Sequence, residues 1–310
     1  MTSKTIFTFA HHTGFAESTG IGNRRVQRGV TLIELLIGIS IGLLTIAVAM
    51  GALMVSRGVS GTVSDASQLQ QQAAYVFRTI AQQVRQTGSL RLNLAATKPG
   101  IADAAIQIAD LVAFETAEGD FNPARVVSGT SNSLTVGYRS YIDTLHAFAA
   151  DPDTPGKGSL LSDCMGQKKT ASDTLAQSTF TLNSTTSELR CTSFQNTQPQ
   201  PIAQNIANFQ VRYLMQTAAG SGSPQIQYVS AATVGNSTNP NWAQIVGVEA
   251  CLVLYGSEAI DLPAGTTYTD CDGATQVDIN TLPAPRTRRM HMVFRNVYQL
   301  RSQGLVGSAL

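Results

Sequence analysis

The sequence predicts an α+β fold in which a long N-terminal α-helix packs on a mainly antiparallel β-sheet domain. Two patterns lead to this prediction. Residues 30–55 form an apolar run, and residues 69–84 then repeat apolar side chains at three- and four-residue spacings. From residue 90 onward, short runs typical of strands are separated by Gly, Asn, Ser, Thr and Pro clusters. The helical pattern therefore belongs to the first part of the chain and the sheet to the rest.

The amino-acid composition and net charge argue against two classes of protein. Of the 310 residues 13% are charged, about half of the ~25% that is usual in soluble domains. The 21 Lys and Arg residues nearly balance the 20 Asp and Glu residues, which leaves a formal net charge of +1. A hydrophobic content of 43% excludes a disordered, highly charged protein. The absence of a global positive field argues against a general nucleic-acid binder.

The N-terminal region has the charge pattern of a cytoplasmic leader followed by a membrane helix. Residues 1–28 contain Lys4, Arg24, Arg25 and Arg28 against one acid, Glu17. The 21 residues 35–55 carry no charge, and about 20 apolar residues cross a hydrocarbon layer of ~30 Å. The basic flank predicts a cytoplasmic N-terminus and export of everything beyond Arg57.

One acidic residue does not suit a simple membrane tether. Glu34 lies four residues into the apolar run, where a carboxylate costs on the order of a few kcal/mol. Hydropathy alone favours a signal-anchor helix, which needs no such residue. Glu34 therefore indicates a function within the membrane.

The residues around Glu34 resemble a known processing motif. The stretch Arg28-Gly29-Val30-Thr31-Leu32-Ile33-Glu34 is similar to the class III leader junction of type IV prepilins and pseudopilins. The resemblance implies that a prepilin peptidase cuts after Gly29, that the new N-terminus at Val30 is methylated, and that Glu34 pairs with the N-terminal amine of a neighbouring subunit. A buried carboxylate favours such a cation, and the helix dipole adds positive charge there. Val30 departs from the usual Phe or Met.

The leader resemblance and the periodicity together divide the chain into four parts. Residues 1–29 are the cleaved leader, and residues 30–56 are the transmembrane and assembly half of the helix. Residues 57–88 are its amphipathic half, with Gly88 as a stop signal. Residues 89–310 form a β-rich globular domain in the periplasm or outside the cell.

Eight runs are predicted to be strands of that domain. They are Leu111 to Phe114, Ser133 to Tyr138, Ser178 to Leu182, Glu188 to Thr192, Phe209 to Met215, Gln225 to Val229, Gln244 to Tyr255 and Arg289 to Leu300. Three of them alternate clearly, which predicts antiparallel strands buried on one face. Stretches 97–110, 149–176 and 217–242 are predicted to be long loops.

The four cysteines lie in the part assigned to the periplasm, where disulfides persist. Nearest-neighbour pairing joins Cys164 to Cys191 and Cys251 to Cys271, which is one of three possible connectivities. A zinc site is the alternative. It is disfavoured because no C-x-x-C pair occurs.

Residues of the C-terminal part extend the resemblance to the PilW family of type IV pilus minor pilins. The matching pieces are residues 162–166, 189–191, 201–213 and 294–297. The resemblance implies a pilin-like fold. It also implies that the partners are the prepilin peptidase, other minor pilins, the major pilin and the inner-membrane assembly platform. No cofactor, metal or small-molecule substrate is implied.

A search for catalytic chemistry yields no candidate residues. His146 and His291, the two histidines after residue 29, lie in no catalytic motif. The acids Asp270, Asp272 and Asp278 could suggest calcium, but their spacing is more typical of turns.

The cluster Arg286, Arg288 and Arg289 could contact DNA, although a solvated strand start is the simpler interpretation. Trp242 is expected in the core.

The sequence therefore predicts a structural protein rather than an enzyme. The leading hypothesis is a minor pilin of the inner membrane that later reaches the pilus and cell surface, in a tip or initiation complex. A J-type minor pseudopilin of type II secretion is the nearest alternative. An adhesive or DNA-capturing subunit of the pilus tip is a further one.

Overall fold

A computed structural model describes residues 29–89, 126–145, 156–168, 175–194, 196–217, 225–235 and 241–300. The chain divides into two compact units, residues 1–56 and residues 57–310. Helix α1, Leu32–Gln86, begins in the first unit and ends in the second. It runs without a break, although glycines at positions 51, 58 and 61 could have interrupted it.

The first unit contains the apolar half of α1. Thr31 caps the helix: its side-chain oxygen accepts a hydrogen bond from the Glu34 amide at 3.3 Å. The large hydrophobic side chains from Val30 to Val55 are all 53–79% exposed. By length and composition this helix could cross a membrane.

In the second unit, one stripe of α1 is buried. The stripe consists of residues at three- and four-residue spacings, Leu69, Ala73, Val76, Ile80 and Val84, which is the periodicity that the sequence predicts. The helix ends just before Gly88, whose φ of 67° lies in the left-handed region that a helix stop requires. The Gly88 amide then donates to the Gly137 carbonyl at 2.9 Å.

Thirteen strands and one short helix are described in the remainder of this unit. They are β1 (Val127–Gly129), β2 (Ser133–Arg139), β3 (Asp143–Leu145), β4 (Gly156–Gly158), β5 (Leu175–Asn183), β6 (Glu188–Ser193), β7 (Gln200–Ala203), β8 (Ile206–Thr217), β9 (Gln225–Val229), α2 (Ala231–Val234), β10 (Ile245–Ala259), β11 (Thr267–Thr269), β12 (Gln276–Asp278) and β13 (Arg289–Gln299).

The strands form two main antiparallel sheets. One sheet has the order β1-β2-β5-β6-β7, and the other has the order β13-β10-β8-β9. Two-stranded ribbons are formed by β3 with β4 and by β11 with β12. Apolar side chains of both main sheets form one core with the buried stripe of α1, among them Phe180, Phe209, Tyr213 and Leu252. The α+β prediction is confirmed.

Strand β10 corrects the expectation of one-sided burial. Residues 250–256 are all buried, so both faces of this strand are covered. Leu252 and Leu254 belong to the main core, while Cys251 and Val253 form a second small cluster with Cys271 and Tyr268. The 260–288 excursion therefore supplies a cover for the far face of β10.

Several short elements were not predicted. Strands β1, β3, β4, β11 and β12 have three residues each, and β7 has four. The predicted loop 149–176 contains β4 and the start of β5, and the predicted loop 217–242 contains α2. The same loop also contains β9, which matches the predicted strand Gln225 to Val229. The predicted strand Leu111 to Phe114, the loop 97–110 and His146 lie outside the described residues.

Candidate functional site

The first candidate site is the start of α1. Gly29 and Val30 precede the helix and are exposed, and no atom in the described part of the chain would contact a Cβ added to Gly29. Glu34 is the only charged residue between Leu32 and Ser56, and it is exposed in the first helical turn. A single carboxylate on an exposed apolar helix is costly in a membrane. This arrangement is suited to receiving a cation from outside the chain.

The second site anchors α1 to strand β10. Asp65 is only 4% exposed, although it is an acid on the otherwise apolar stripe of the helix. Its carboxylate accepts hydrogen bonds from the Ser257 amide at 3.2 Å, the Ser257 hydroxyl at 2.7 Å and the Glu258 amide at 2.9 Å. We call these contacts the Asp65 anchor. They connect residues 192 or more positions apart.

The anchor determines the charge state of Asp65. Burial raises the pKa of this carboxyl, but the hydrogen bonds from Ser257 and Glu258 and the positive charge of Arg289 outweigh burial and lower it overall. Arg289 also donates to the Gly256 carbonyl at 3.1 Å and to the Ser257 carbonyl. Asp65 is thus held as an anion by donors from β10 and a nearby cation.

Gly256 makes room for the anchor. A Cβ at this position would overlap Asp65 Oδ2, so any larger residue would displace the carboxylate. The sequence signal for the anchor is an acid that continues the spacing of Leu69 and Ala73 on the buried stripe. Sequence analysis missed it because nothing links that acid to residues 256–258.

A second set of polar contacts fastens the C-terminal end of α1. The side-chain amides of Gln83 and Gln86 both donate to the Ser162 carbonyl, at 3.0 and 2.6 Å. The Ser178 hydroxyl donates to Gln83 Oε1 at 3.0 Å and accepts from the Cys164 amide at 3.1 Å. These bonds connect the helix end to β5 and to the segment that carries Cys164.

Two disulfides join elements of the second unit. Cys164 is bonded to Cys191 of β6, and Cys251 of β10 is bonded to Cys271. These are the two pairs that nearest-neighbour pairing gives. The second bond holds the 260–288 excursion against β10.

Comparisons with known proteins bear on both parts of the chain. Residues 24–50 match the family model described as the prokaryotic N-terminal methylation motif, and residues 167–302 match that of the type IV pilus-assembly protein W, PilW. The two matches support a type IV pilus minor pilin. The methylation-motif match thus lies at the exposed apolar helix, and the PilW match spans β5 to β13.

Other comparisons add little. One solved structure that matches is a type IV-like pilin, TTHA1219, from Thermus thermophilus, with 12% identity and a TM-score of 0.32. The match covers 76% of this chain and 94% of that chain. No curated protein matches this chain. A TM-score this low carries no argument, so the assignment rests on the two family models.

The acids and the histidine that could have suggested chemistry have structural partners in this protein. Asp270 accepts from the Asn208 side chain at 2.9 Å, Asp272 accepts from two turn amides, and Asp278 caps a short 3-10 helix. His291 stacks on Tyr268 with ring centroids 4.8 Å apart. Within the described residues, no three His, Cys, Asp or Glu side chains form a group that could hold a metal ion.

Two arginines of the predicted basic cluster, Arg288 and Arg289, also have partners within the chain. Arg288 pairs with Asp261, and Arg289 donates to carbonyls next to the Asp65 anchor. The Arg286 amide donates to the Pro283 carbonyl at 3.0 Å. Trp242 packs edge-on against Tyr213 at 4.9 Å and contacts the core. Neither feature points to a ligand.

Proposed function

We propose that this pilin is a processed minor subunit that takes part in initiating type IV pilus assembly. The prepilin peptidase cuts after Gly29 and methylates Val30, and the 281 residues that remain (310 minus 29) enter the assembly complex. The apolar half of α1 holds the subunit in the inner membrane, with its C-terminal part in the periplasm. Other minor pilins, the major pilin and the assembly platform are its partners, in a complex at the pilus tip.

The exposed apolar half of α1 is the observation that carries this proposal. Its large hydrophobic side chains are more than half exposed, and a surface of this kind requires lipid or another apolar partner. The apolar half of α1 can contact both kinds of partner in succession: lipid before assembly, and the helices of neighbouring subunits afterwards. Glu34 then supplies the carboxylate for the free N-terminal amine of the next subunit, since a buried carboxylate needs a cation.

Mass measurement of the intact protein tests the processing step. The full chain is expressed with and without a prepilin peptidase, and its mass is determined after membrane extraction. We expect a methylated product that starts at Val30 only when the peptidase is present. A chain that retains residues 1–29 in piliated cells would contradict the proposal.

A substitution of Gly29 provides the matched control. Gly29→Leu places a side chain at the cleavage position, where glycine leaves the backbone accessible. No atom of the described residues lies within 4 Å of a Cβ there, so we expect the change to leave the fold intact. We expect the uncut mass even with the peptidase present.

A further inference from the structure

The free edge of β13 lies beside an exposed face of α1. Within the described residues, β13 is the outermost strand of its sheet and pairs only with β10. The Tyr298 hydroxyl donates to the Phe77 carbonyl at 3.0 Å and so connects the strand to the helix. An open groove of about 860 Å³ lies between them, with Asn296 on the strand side. We call it the α1–β13 groove.

The register of β13 identifies the backbone groups that are free. The Leu300 amide donates to the Val246 carbonyl, so the even-numbered residues of the strand are bonded to β10, and the amides of Val293, Arg295, Val297 and Gln299 point outward. Asn296 Oδ1 accepts from the Val297 amide at 2.9 Å. Among the residues that the structure describes, none accepts from the other three amides.

The helix side of the groove has a distinct chemistry. The apolar part of its lining, which we call the floor, consists of Ala74, Phe77, Ala81 and Leu161, and Arg78 and Arg85 line the groove beside it. Both arginines are exposed. No carboxylate in the described ranges lies within ion-pair distance of either one.

We propose that the α1–β13 groove binds an extended, acidic segment of a partner pilin subunit, which adds to the sheet as a strand beside β13. The outward amides supply main-chain hydrogen bonds to that strand. Its alternate side chains reach the apolar floor, and its carboxylates meet Arg78 and Arg85. An edge of this length without a partner is otherwise a liability that proteins avoid. The inference rests on the proposed function.

Site-specific photocross-linking tests this surface in cells that make the full chain and the other pilus subunits. The cross-linker p-benzoylphenylalanine replaces Ala74 in the groove, Leu43 in the apolar half of α1, or Thr185 in the exposed turn between β5 and β6. We expect the Ala74 probe to attach to an acidic segment with alternating apolar residues in another pilin, identified by mass spectrometry of the cross-linked peptide. The Thr185 probe measures the background level of cross-linking.

Charge reversal separates this interaction from general proximity. R78E with R85E is expected to lower the Ala74 product about ten-fold or more, because like charges then face each other. The matched pair R78K with R85K retains the product. Formation of both disulfides, measured by the electrophoretic shift on reduction, shows that the variants fold.

The Leu43 probe distinguishes a failure of the groove inference from a failure of the proposed function. Cross-links from Leu43 to other pilins without a partner cross-link from Ala74 would overturn the groove inference and leave the proposed function intact. Attachment of the Ala74 probe to residues 90–125 of the same chain would also overturn it. If Leu43 itself gives no pilin cross-link, the proposed function fails, and the groove inference fails with it.

Discussion

At the scale of single residues, Glu34 is the group on which assembly is expected to depend. It is exposed and carries the only charge in its half of α1. Glu34→Ala removes the carboxylate but leaves the apolar run and the Gly29 junction unchanged. We expect the variant to be inserted and cleaved normally but to fail in assembly. Pilus counts by electron microscopy, in cells that lack the native copy, measure the effect, and normal piliation would refute the pairing role.

Asp65 is the residue on which the docking of α1 is expected to depend. Asp65→Ala removes the buried carboxylate that accepts from Ser257 and Glu258, and a hydrogen-bonded charge of this kind contributes about 1.5–3 kcal/mol. We expect the free energy of unfolding to fall by about 2 kcal/mol, measured by urea denaturation in detergent. Thr185→Ala, in an exposed turn, is the control and is expected to change it by less than about 0.5 kcal/mol.

The same carboxylate predicts a pH dependence. Because folding lowers the pKa of Asp65, its stabilisation is complete above the unfolded value of about 4 and disappears as the pH falls through the lower folded value. We therefore expect the difference in stability between the wild type and Asp65→Asn to be constant from pH 7 to about pH 5 and to shrink in stronger acid. A difference that grows in acid would show that Asp65 is protonated in the folded protein.

At the scale of elements, the buried stripe of α1 determines how firmly the helix is held. Ile80 is fully buried in the core, and replacing a buried Ile by Ala typically costs 2–5 kcal/mol. We expect Ile80→Ala to lower the free energy of unfolding by about 3 kcal/mol. Gln70→Ala, on the exposed side of the helix, serves as the comparison. Equal effects in a thermal melt would contradict the assigned face.

Element length explains which parts of the fold were predictable. Strands β8, β10 and β13 have 11 to 15 residues, enough for their alternation to stand out in the sequence. The three-residue strands contain at most one and a half periods and cannot be distinguished from loops. The spacing of the cysteines indicated the two pairs, because each lies close in sequence to its partner.

The Asp65 anchor and the α1–β13 groove were beyond sequence analysis for a different reason. Each depends on segments that are far apart in the chain: Asp65 with Ser257, and Phe77 with Tyr298. Local periodicity gives no information about such pairs. The motif at Gly29, Val30 and Glu34, by contrast, lies within six consecutive residues, and a short range of sequence was sufficient to predict it.

At the scale of the whole molecule, the division into two units predicts different solution behaviour. Most of the exposed large hydrophobic residues lie before Ser56, and residues 57–310 contain the core and both disulfides. We expect a fragment of residues 57–310, exported to the periplasm, to stay monodisperse without detergent. The full chain is expected to aggregate under the same conditions. Size-exclusion chromatography measures both, and a fragment that needs detergent would contradict the division.

The position of the Asp65 anchor has a mechanical consequence. Asp65 is the first buried residue of α1 when the helix is followed from its N-terminal end. A pulling force applied at that end therefore reaches the ionic hydrogen bonds to Ser257 and Glu258 before it reaches Leu69 or any later contact of the stripe. Hydrogen bonds are short-ranged and rupture after small extensions, so we expect the anchor to set the load at which the helix begins to separate from its domain.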